Sequence, residues 1–236
     1  MDSGKLQIDA PTAGNAQRDR SRPLAAAVMV SGHGRGTNLG AMIEACSNGR
    51  IGGRIAVVIG TRADSPALDR ARAAEIPAIV ISPRKYEGDD SGYATAILRI
   101  LMRYEAELIC LAGYMRKLPS EVLHRFAGRV MNVHAALLPL FGGQGMYGER
   151  VHASVLDSGM KVSGCTVHFV DEEYDTGPII VQSAVSVLED DTPETLGSRV
   201  LAAENAAYVQ AVALFAEGRL RIDGNRVRVL PRGDEE

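Results

Sequence analysis

The sequence has 236 residues, 46% of them hydrophobic, which is enough to bury a sizeable core in one large or two small domains. The formal net charge is -3, and the mixture of acidic and basic residues along the chain argues against a nucleic-acid-binding surface. No apolar run approaches the roughly 20 residues that span a bilayer. We therefore expect small-molecule ligands, no nucleic acid and no membrane as partners.

The N-terminal segment and the cysteines indicate the cellular location. Residues 1–23 lack the apolar stretch of a signal peptide, and we interpret them as a disordered, solvated leader. Cys46, Cys110 and Cys165 are odd in number and widely spaced, unlike a disulfide framework or a zinc site, so they are interpreted as reduced core residues. The protein is predicted to be cytoplasmic, a monomer or homodimer, with residues 24–236 forming one domain.

Short apolar runs alternate with longer helical stretches from Leu24 onward. Strands are predicted at LAAAVMVSG, RIAVVIGT, IPAIVIS, AELICLAGY and GRVMNVH. The helices between them are predicted at NLGAMIEACSNG, from about Ser65 to Ala74, from about Ser91 to Tyr104, and after Pro119. Continuous Val, Ile and Leu runs that alternate with helices indicate a parallel sheet covered on both faces.

The pattern changes after Gly148. A helix around Glu149 to Ser158 precedes KVSGCTVHFV and PIIVQSAVSVL, which are predicted to be neighbouring, mostly antiparallel strands. A long amphipathic helix, roughly Pro193 to Glu217, is followed by RLRIDGNRVRVL, a hairpin with an Asp-Gly-Asn turn. The predicted fold class is therefore α/β, a Rossmann-like, mostly parallel sheet with helices on both faces and an antiparallel C-terminal addition.

A glycine-rich stretch, SGHGRGTNLGAM, lies between the first strand and the first helix. Its glycines allow close backbone approach, and Thr37 or Asn38 can cap the helix while other N–H groups stay free for an anion. The spacing matches neither a Walker loop nor Gly-x-Gly-x-x-Gly. Phosphate binding is favoured over an ordinary glycine-rich turn because ligands bind at this end of such sheets.

A second loop follows the fourth predicted strand. In LAGYMRKL, residues 111–118, Gly113 frees the backbone, and the exposed segment from Met115 to Leu118 can offer amide and carbonyl groups to a planar heterocycle. A core strand with an ordinary exit loop explains this stretch equally well.

Asn132 and His134 occur together in VMNVHAALLPLFGG. Side chains two residues apart on a strand point to the same face, so an amide donor and an ionisable ring meet where the strand ends.

In DEEYDTGPIIVQ, Asp175 precedes a tight Thr-Gly-Pro turn that would hold its carboxylate still, and a carboxylate near an imidazole stabilises imidazolium. The alternative, a solvated acidic loop, remains open. The other histidines, which are expected to include structural ones and show no metal-ligand spacing, are His33, His124, His152 and His168.

Together, SGHGRGTNL, AGYMRKL, NVHAALLP and GCTVHFVDEEYDTGPIIVQ resemble the folate-dependent formyltransferase family over about Val28 to Leu230. The resemblance implies formyl transfer from 10-formyltetrahydrofolate, as cosubstrate, to the amine of glycinamide ribonucleotide in purine synthesis, without a metal. Its implied catalytic residues are Asn132, His134 and Asp175. Its implied folate-binding residues are Met115, Arg116, Lys117, Leu118 and Asn132. Its implied ribonucleotide-binding residues are Gly36, Thr37 and Asn38 for the phosphate and Glu204 for the ribose hydroxyls.

The sequence departs from the family pattern in its loops. The phosphate loop is two residues longer than the compact form, and the glycine loop from Gly142 to Gly148 is also extended. The folate-contacting arginine of the family has no clear counterpart, although Arg84 and Lys85 lie in the corresponding region.

Other functions fit the sequence less well. A formyltetrahydrofolate deformylase would use water as the acceptor and usually carries an extra N-terminal domain, for which the 23-residue leader is too short. A methionyl-tRNA formyltransferase would need a basic C-terminal domain. A Rossmann-type oxidoreductase conflicts with the glycine spacing, and a catalytically inactive binding module conflicts with the complete Asn/His/Asp set.

Overall fold

The computed structural model describes residues 22–32 and 34–232. The strands are β1 Leu24–Val30, β2 Gly53–Gly60, β3 Ala78–Val80, β4 Leu108–Leu111, β5 Val130–His134, β6 Val162–Phe169, β7 Ile179–Ser186, β8 Leu220–Asp223 and β9 Arg226–Val229. The helices are α1 Thr37–Ser47, α2 Pro66–Ala73, α3 Asp90–Arg103, α4 Ser120–Arg125, α5 Glu149–Asp157 and α6 Pro193–Ala216. A short 3₁₀ turn at Pro83–Tyr86 was not predicted. The predicted leader lies almost wholly outside the described residues, as does His33.

One sheet contains all of these strands, in the order β3-β2-β1-β4-β5-β6-β7-β9-β8. The strands from β1 to β5 pair in parallel, whereas β6 is antiparallel to β5 and β7 is antiparallel to β6. The α/β class, the parallel sheet and the antiparallel addition are therefore confirmed.

The central strand β1 is buried along its whole length because helices cover both faces of the sheet. Its side chains alternate between two hydrophobic clusters. Leu24, Ala26 and Val28 pack on the side of α1, α2 and α6, and Ala27 and Met29 pack on the side of α3 and α4. This double burial explains why β1 appears in the sequence as a continuous apolar run without polar alternation.

The start of α1 differs from its prediction. Gly36 is the N-cap residue, with a left-handed φ of 69°, and neither Thr37 nor Asn38 caps the helix. A Cβ at Gly36 would lie 2.9 Å from the Cβ of Ala67, so α1 also approaches α2 too closely for a larger residue. The Asn38 side chain instead donates to Glu204 on α6. The first-turn amides of α1 are therefore left without a side-chain cap among the described residues.

The strand order reverses between β1 and β4, and their carboxyl ends diverge there to form a crevice. The loop after β4 is tied to the loop after β1 because the Met115 N–H donates to Ser31 Oγ at 2.8 Å. β5 is the next strand, so the sheet gathers the glycine-rich loop, the Met115–Leu118 segment and Asn132 at one edge.

Candidate active site

A cavity of about 990 Å³ occupies this crevice. Its walls come from the loops after β1, β4 and β5, from the glycine loop 142–148, from the loop before Asp175 and from α6. The predicted site residues that line it are Asn38, Met115, Arg116, Lys117, Leu118, Asn132, His134, Asp175 and Glu204. The structure thus brings together residues that are far apart in the sequence.

Asn132, His134 and Asp175 form a connected group with His168. The Nδ1 atom of His134 lies 3.6 Å from Asp175 Oδ2, and the Nε2 atom of His168 lies 3.5 Å from Asp175 Oδ1. The same His168 Nε2 lies 3.2 Å from Asn132 Nδ2. The side chains of His134, His168 and Asp175 are only 7%, 2% and 12% exposed, so these contacts are little screened by water.

His168 is fixed from its other side, where Nδ1 lies 2.8 Å from the carbonyl oxygen of Phe169 and therefore carries a hydrogen. When the ring is neutral, its bare Nε2 accepts from the Asn132 amide. When the ring is doubly protonated, Nε2–H donates to Asp175. The protonation state of His168 therefore decides whether Nε2 pairs with the amide of Asn132 or with the carboxylate of Asp175.

The Asp175 carboxylate is kept ionised by its neighbours. Burial alone would raise its pKa, but hydrogen bonding from His168, the nearby His134 and the Gly143 N–H together lower the pKa below the ordinary value. The Gly143 N–H donates to Oδ2 at 2.9 Å. A fixed anion beside His134 stabilises positive charge on that ring, which supports the reading of Asp175 as part of the site.

The end of the cavity near α1 can receive an anion. Its lining there includes Gly34, Arg35 and Asn38, whereas Gly36 and Thr37 are not among the lining residues that the structure describes. The turn before α1 requires glycine at position 36, because the backbone there is left-handed and a Cβ would contact Ala67. The uncapped amides of α1 and the positive charge of Arg35 make this end suited to a phosphate.

Glu204 lies in α6 beside Asn38, whose Nδ2 donates to Glu204 Oε2 at 3.3 Å. Burial raises the pKa of the Glu204 carboxyl to about 7, against a smaller lowering by the Asn38 hydrogen bond. The Asn38 Oδ1 atom is buried without a hydrogen-bond partner. A buried carboxyl and an unpaired amide oxygen are groups that a hydroxyl-bearing ligand would satisfy.

The opposite end of the cavity is formed by Met115 to Leu118. The Met115 side chain is 48% exposed, and the Lys117 ammonium lies 3.5 Å from a Glu173 carboxylate oxygen. Arg84 and Lys85 belong to the 3₁₀ turn and are not among the described residues that line this cavity. The combination of an exposed thioether and one ion pair suits a planar, polar-edged ligand.

Sequence reasoning did not single out His168 or Arg35. His168 faces Asn132 because the two residues are partners in the β5–β6 register, which cannot be read from one sequence. The available signal was that His168 belongs to GCTVHFVDEEYDTGPIIVQ, the motif that also contains Asp175. Arg35 lies inside the glycine-rich loop SGHGRGTNLGAM, where its positive charge was the available signal.

The fold and this site define a formyl transferase. The chain belongs to the formyl transferase family, whose model matches residues 25–212. Phosphoribosylglycinamide formyltransferase, chloroplastic, of Arabidopsis thaliana is 40% identical over 219 residues, covering 93% of this chain and 74% of the relative. Phosphoribosylglycinamide formyltransferase of Haemophilus influenzae is 39% identical over 199 residues, covering 84% and 90%.

Solved structures agree with these relatives. Glycinamide ribonucleotide transformylase 1 from Symbiobacterium toebii has a TM-score of 0.83 and 46% identity, covering 89% of this chain and 95% of that one. Some relatives are much longer, since the chain spans 20% of the trifunctional purine biosynthetic protein adenosine-3 of Bos taurus, at 39% identity over 204 residues. A formyltetrahydrofolate deformylase from Pseudomonas syringae has a TM-score of 0.78 but 24% identity, a likeness of fold alone, over 90% of this chain and 67% of that one.

Among the described residues, no cluster of three or more His, Cys, Asp or Glu side chains is arranged to hold a metal ion. Within residues 22–32 and 34–232, every helix is too short or too polar to span a bilayer.

Proposed function

We propose that the chain transfers the formyl group of 10-formyltetrahydrofolate to the amine of glycinamide ribonucleotide, a step of purine synthesis. The observation that carries the proposal is the Asn132–His168–Asp175–His134 group, which lies in the same cavity as an end suited to an anion and an end suited to a heterocycle. The names of the relatives support formyl transfer to the same ribonucleotide acceptor.

The reaction needs stabilisation of negative charge. The amine nitrogen bonds to the formyl carbon, the carbonyl oxygen becomes an oxyanion, and the bond from carbon to the folate nitrogen then breaks while a proton passes from the amine to that nitrogen. Asn132 would donate a hydrogen bond to the oxyanion, and positively charged His134 would stabilise it through space. Asp175 would keep His134 charged and assist the proton transfer.

The substrates would lie at opposite ends of the cavity. Gly36, Thr37 and Asn38 are proposed for the phosphate, with Arg35 beside them, and Glu204 for the ribose hydroxyls. Met115, Arg116, Lys117 and Leu118, together with Asn132, are proposed for the folate. The cytoplasmic location and the monomer or homodimer state stay predictions.

The first test follows formyl transfer by absorbance with a 10-formyl-folate analogue, with and without glycinamide ribonucleotide. His134→Ala should lower kcat by at least about 10²-fold, because it removes the charged ring. His124→Ala is the matched control, since that ring is 70% exposed and pairs with Glu172 at the surface.

Three results would contradict the proposal in different ways. Deformylation that does not need the ribonucleotide would support the deformylase alternative. Binding of both ligands without turnover would support an inactive binding module. Turnover that survives in His134→Ala would leave the reaction in place and remove His134 from it.

A further inference from the structure

The backbone of residues 141–143 contacts both members of the His134–Asp175 pair. His134 Nε2 lies 2.7 Å from the carbonyl oxygen of Phe141. Two residues later, the Gly143 N–H donates to Asp175 Oδ2 at 2.9 Å. One short segment of the glycine loop therefore holds the imidazole by a carbonyl group and the carboxylate by an amide group.

Backbone strain marks the same place. Of the described residues other than glycine, four have a positive φ, and these are Glu75, Glu105, Phe141 and Asp175. Glu75 and Glu105 directly follow the C-cap residues of α2 and α3, where a left-handed residue commonly ends a helix. Phe141, with a φ of 54°, and Asp175, with a φ of 59°, end no helix. Asp175 accepts the hydrogen bond from Gly143, and Phe141 lies two residues before Gly143. Such strain persists where surrounding contacts impose it, commonly at functional sites.

Gly142 lies between the two residues that make these contacts. A Cβ added there would lie 2.6 Å from Leu138 Cδ2 and 3.1 Å from Asp175 Cβ. The segment thus passes directly against the side chain of Asp175, which would have to shift by a few tenths of an ångström to admit a Cβ at Gly142.

The contacts also determine which atoms of His134 carry hydrogens. Nε2 faces a carbonyl oxygen and Nδ1 faces a carboxylate oxygen, and both of these partners can only accept. An Nε2–H group can therefore donate to the carbonyl oxygen of Phe141 at 2.7 Å, which fixes the plane of the ring. A proton held in this way is not free to be handed over to a ligand in the cavity.

We propose that residues 141–143 form a backbone clamp that positions His134 and Asp175 for catalysis. The clamp rests on the proposed formyl transfer, whose oxyanion the positioned imidazolium faces. It gives the extended glycine loop a role at the reacting groups in addition to covering the cavity. The clamp residues are positioning residues, since they act through His134 and Asp175.

Gly142→Ala tests the clamp by crowding Leu138 and the side chain of Asp175. We expect kcat to fall by about 10-fold, less than the roughly 10²-fold of a 1 Å misplacement of catalytic groups, with little change in KM for either substrate. Gly52→Ala is the control, because its Cβ meets nothing within 4 Å and its φ is not positive.

Several outcomes would overturn the clamp while wild-type transfer stands. These are an unchanged kcat in Gly142→Ala, an equal loss in Gly52→Ala, or a loss confined to KM. Absence of transfer by the wild type would instead refute the proposed function.

A second measurement does not depend on the variant folding. In the ¹⁵N imidazole spectrum of the wild type, with His134→Gln used for assignment, the clamp predicts a protonated Nε2 whose hydrogen exchanges slowly with water. A nonprotonated Nε2, or one whose hydrogen exchanges freely, would refute the clamp directly.

Discussion

At Asn132, a single side chain is oriented by a residue from the neighbouring strand. Its amide nitrogen lies 3.2 Å from His168 Nε2, so one side of the amide is used to fix the group and the rest can face the cavity. An oxyanion donor that is already oriented needs no reorganisation during the reaction, which is the source of its effect on the barrier.

Asn132→Ala should therefore lower kcat by about 10²- to 10³-fold, corresponding to about 3–4 kcal/mol of lost transition-state stabilisation, with a smaller change in KM. Steady-state formyl transfer measures both constants. Asn48→Ala, at the exposed end of α1, is the control and should behave as the wild type. A loss smaller than about tenfold would remove Asn132 from the oxyanion role.

Glu204 predicts a dependence of stability on pH. Its folded-state pKa of about 7 lies above the ordinary value of 4.5, so the neutral carboxyl is the form that the fold favours. Its contribution is fully present below pH 4.5 and is lost as the pH rises through about 7. The free energy of unfolding should therefore fall between pH 5 and pH 8, by at most about 3 kcal/mol from this group.

Glu204→Gln keeps a neutral group at every pH, so denaturant unfolding of this variant should show a smaller fall over the same range. Asp175 does not confound the comparison, because its pKa is lowered below 3.8 and its contribution is lost only in acid. A wild type and variant with parallel pH curves would show that Glu204 titrates as an ordinary surface carboxyl.

The residues that the sequence could identify are those whose chemistry and local spacing coincide. Asn132 and His134 share a strand face, and Asp175 precedes a turn, so a single strand or loop reveals them. His168 and the Asn38–Glu204 contact depend on pairings 36 and 166 residues apart, which only the fold determines. The left-handed backbone at Phe141 has no signal in the sequence, because phenylalanine rarely adopts it.

Among the elements, α6 is joined to the middle of the sheet by one buried hydroxyl. Tyr208 is completely buried, and its hydroxyl lies 3.0 Å from Leu111 O in β4 and 2.9 Å from Met131 O in β5. The next residue after Met131 is Asn132. The hydroxyl thus satisfies carbonyl groups where the two strands approach the site.

Tyr208→Phe should destabilise the protein by about 1–3 kcal/mol, because buried carbonyl groups lose their donor while the ring still fills its space. Urea denaturation followed by circular dichroism measures this loss. Tyr147→Phe, whose residue is 49% exposed, is the control. Equal stability of the two variants would mean that the carbonyl groups find other donors or that the hydroxyl contributes nothing.

The sequence predicts the elements well where burial is continuous and poorly where a turn decides their ends. Each predicted strand from β1 to β7 is found, because two-sided burial requires runs of Val, Ile and Leu. The beginning of α1 depends on the left-handed Gly36 and differs from the prediction. The 3₁₀ turn at Pro83–Tyr86 was missed, since one turn has no periodicity to detect.

At the scale of the whole molecule, the two hydrophobic clusters lie on opposite faces of the same sheet. Strands such as β1 and β4 contribute alternate residues to both clusters, so neither cluster can lose its structure without exposing the other. The single domain, residues 24–236, stays a prediction.

Unfolding in urea should consequently give one cooperative transition. Circular dichroism of the helices and tyrosine fluorescence should report the same midpoint and the same denaturant dependence. Separate midpoints for the two probes would indicate that the antiparallel addition unfolds independently of the parallel part.

The order of the strands also has a consequence for synthesis on the ribosome. β1 is made first but lies between β2 and β4, and the groups around the cavity extend from Ser31 to Glu204. Synthesis is slow compared with the formation of local structure, so early helices can form while the central strand still lacks a neighbour. The nascent chain therefore carries an apolar β1 with one unpaired edge until β4 emerges, and the cavity stays incomplete until α6 has left the exit tunnel.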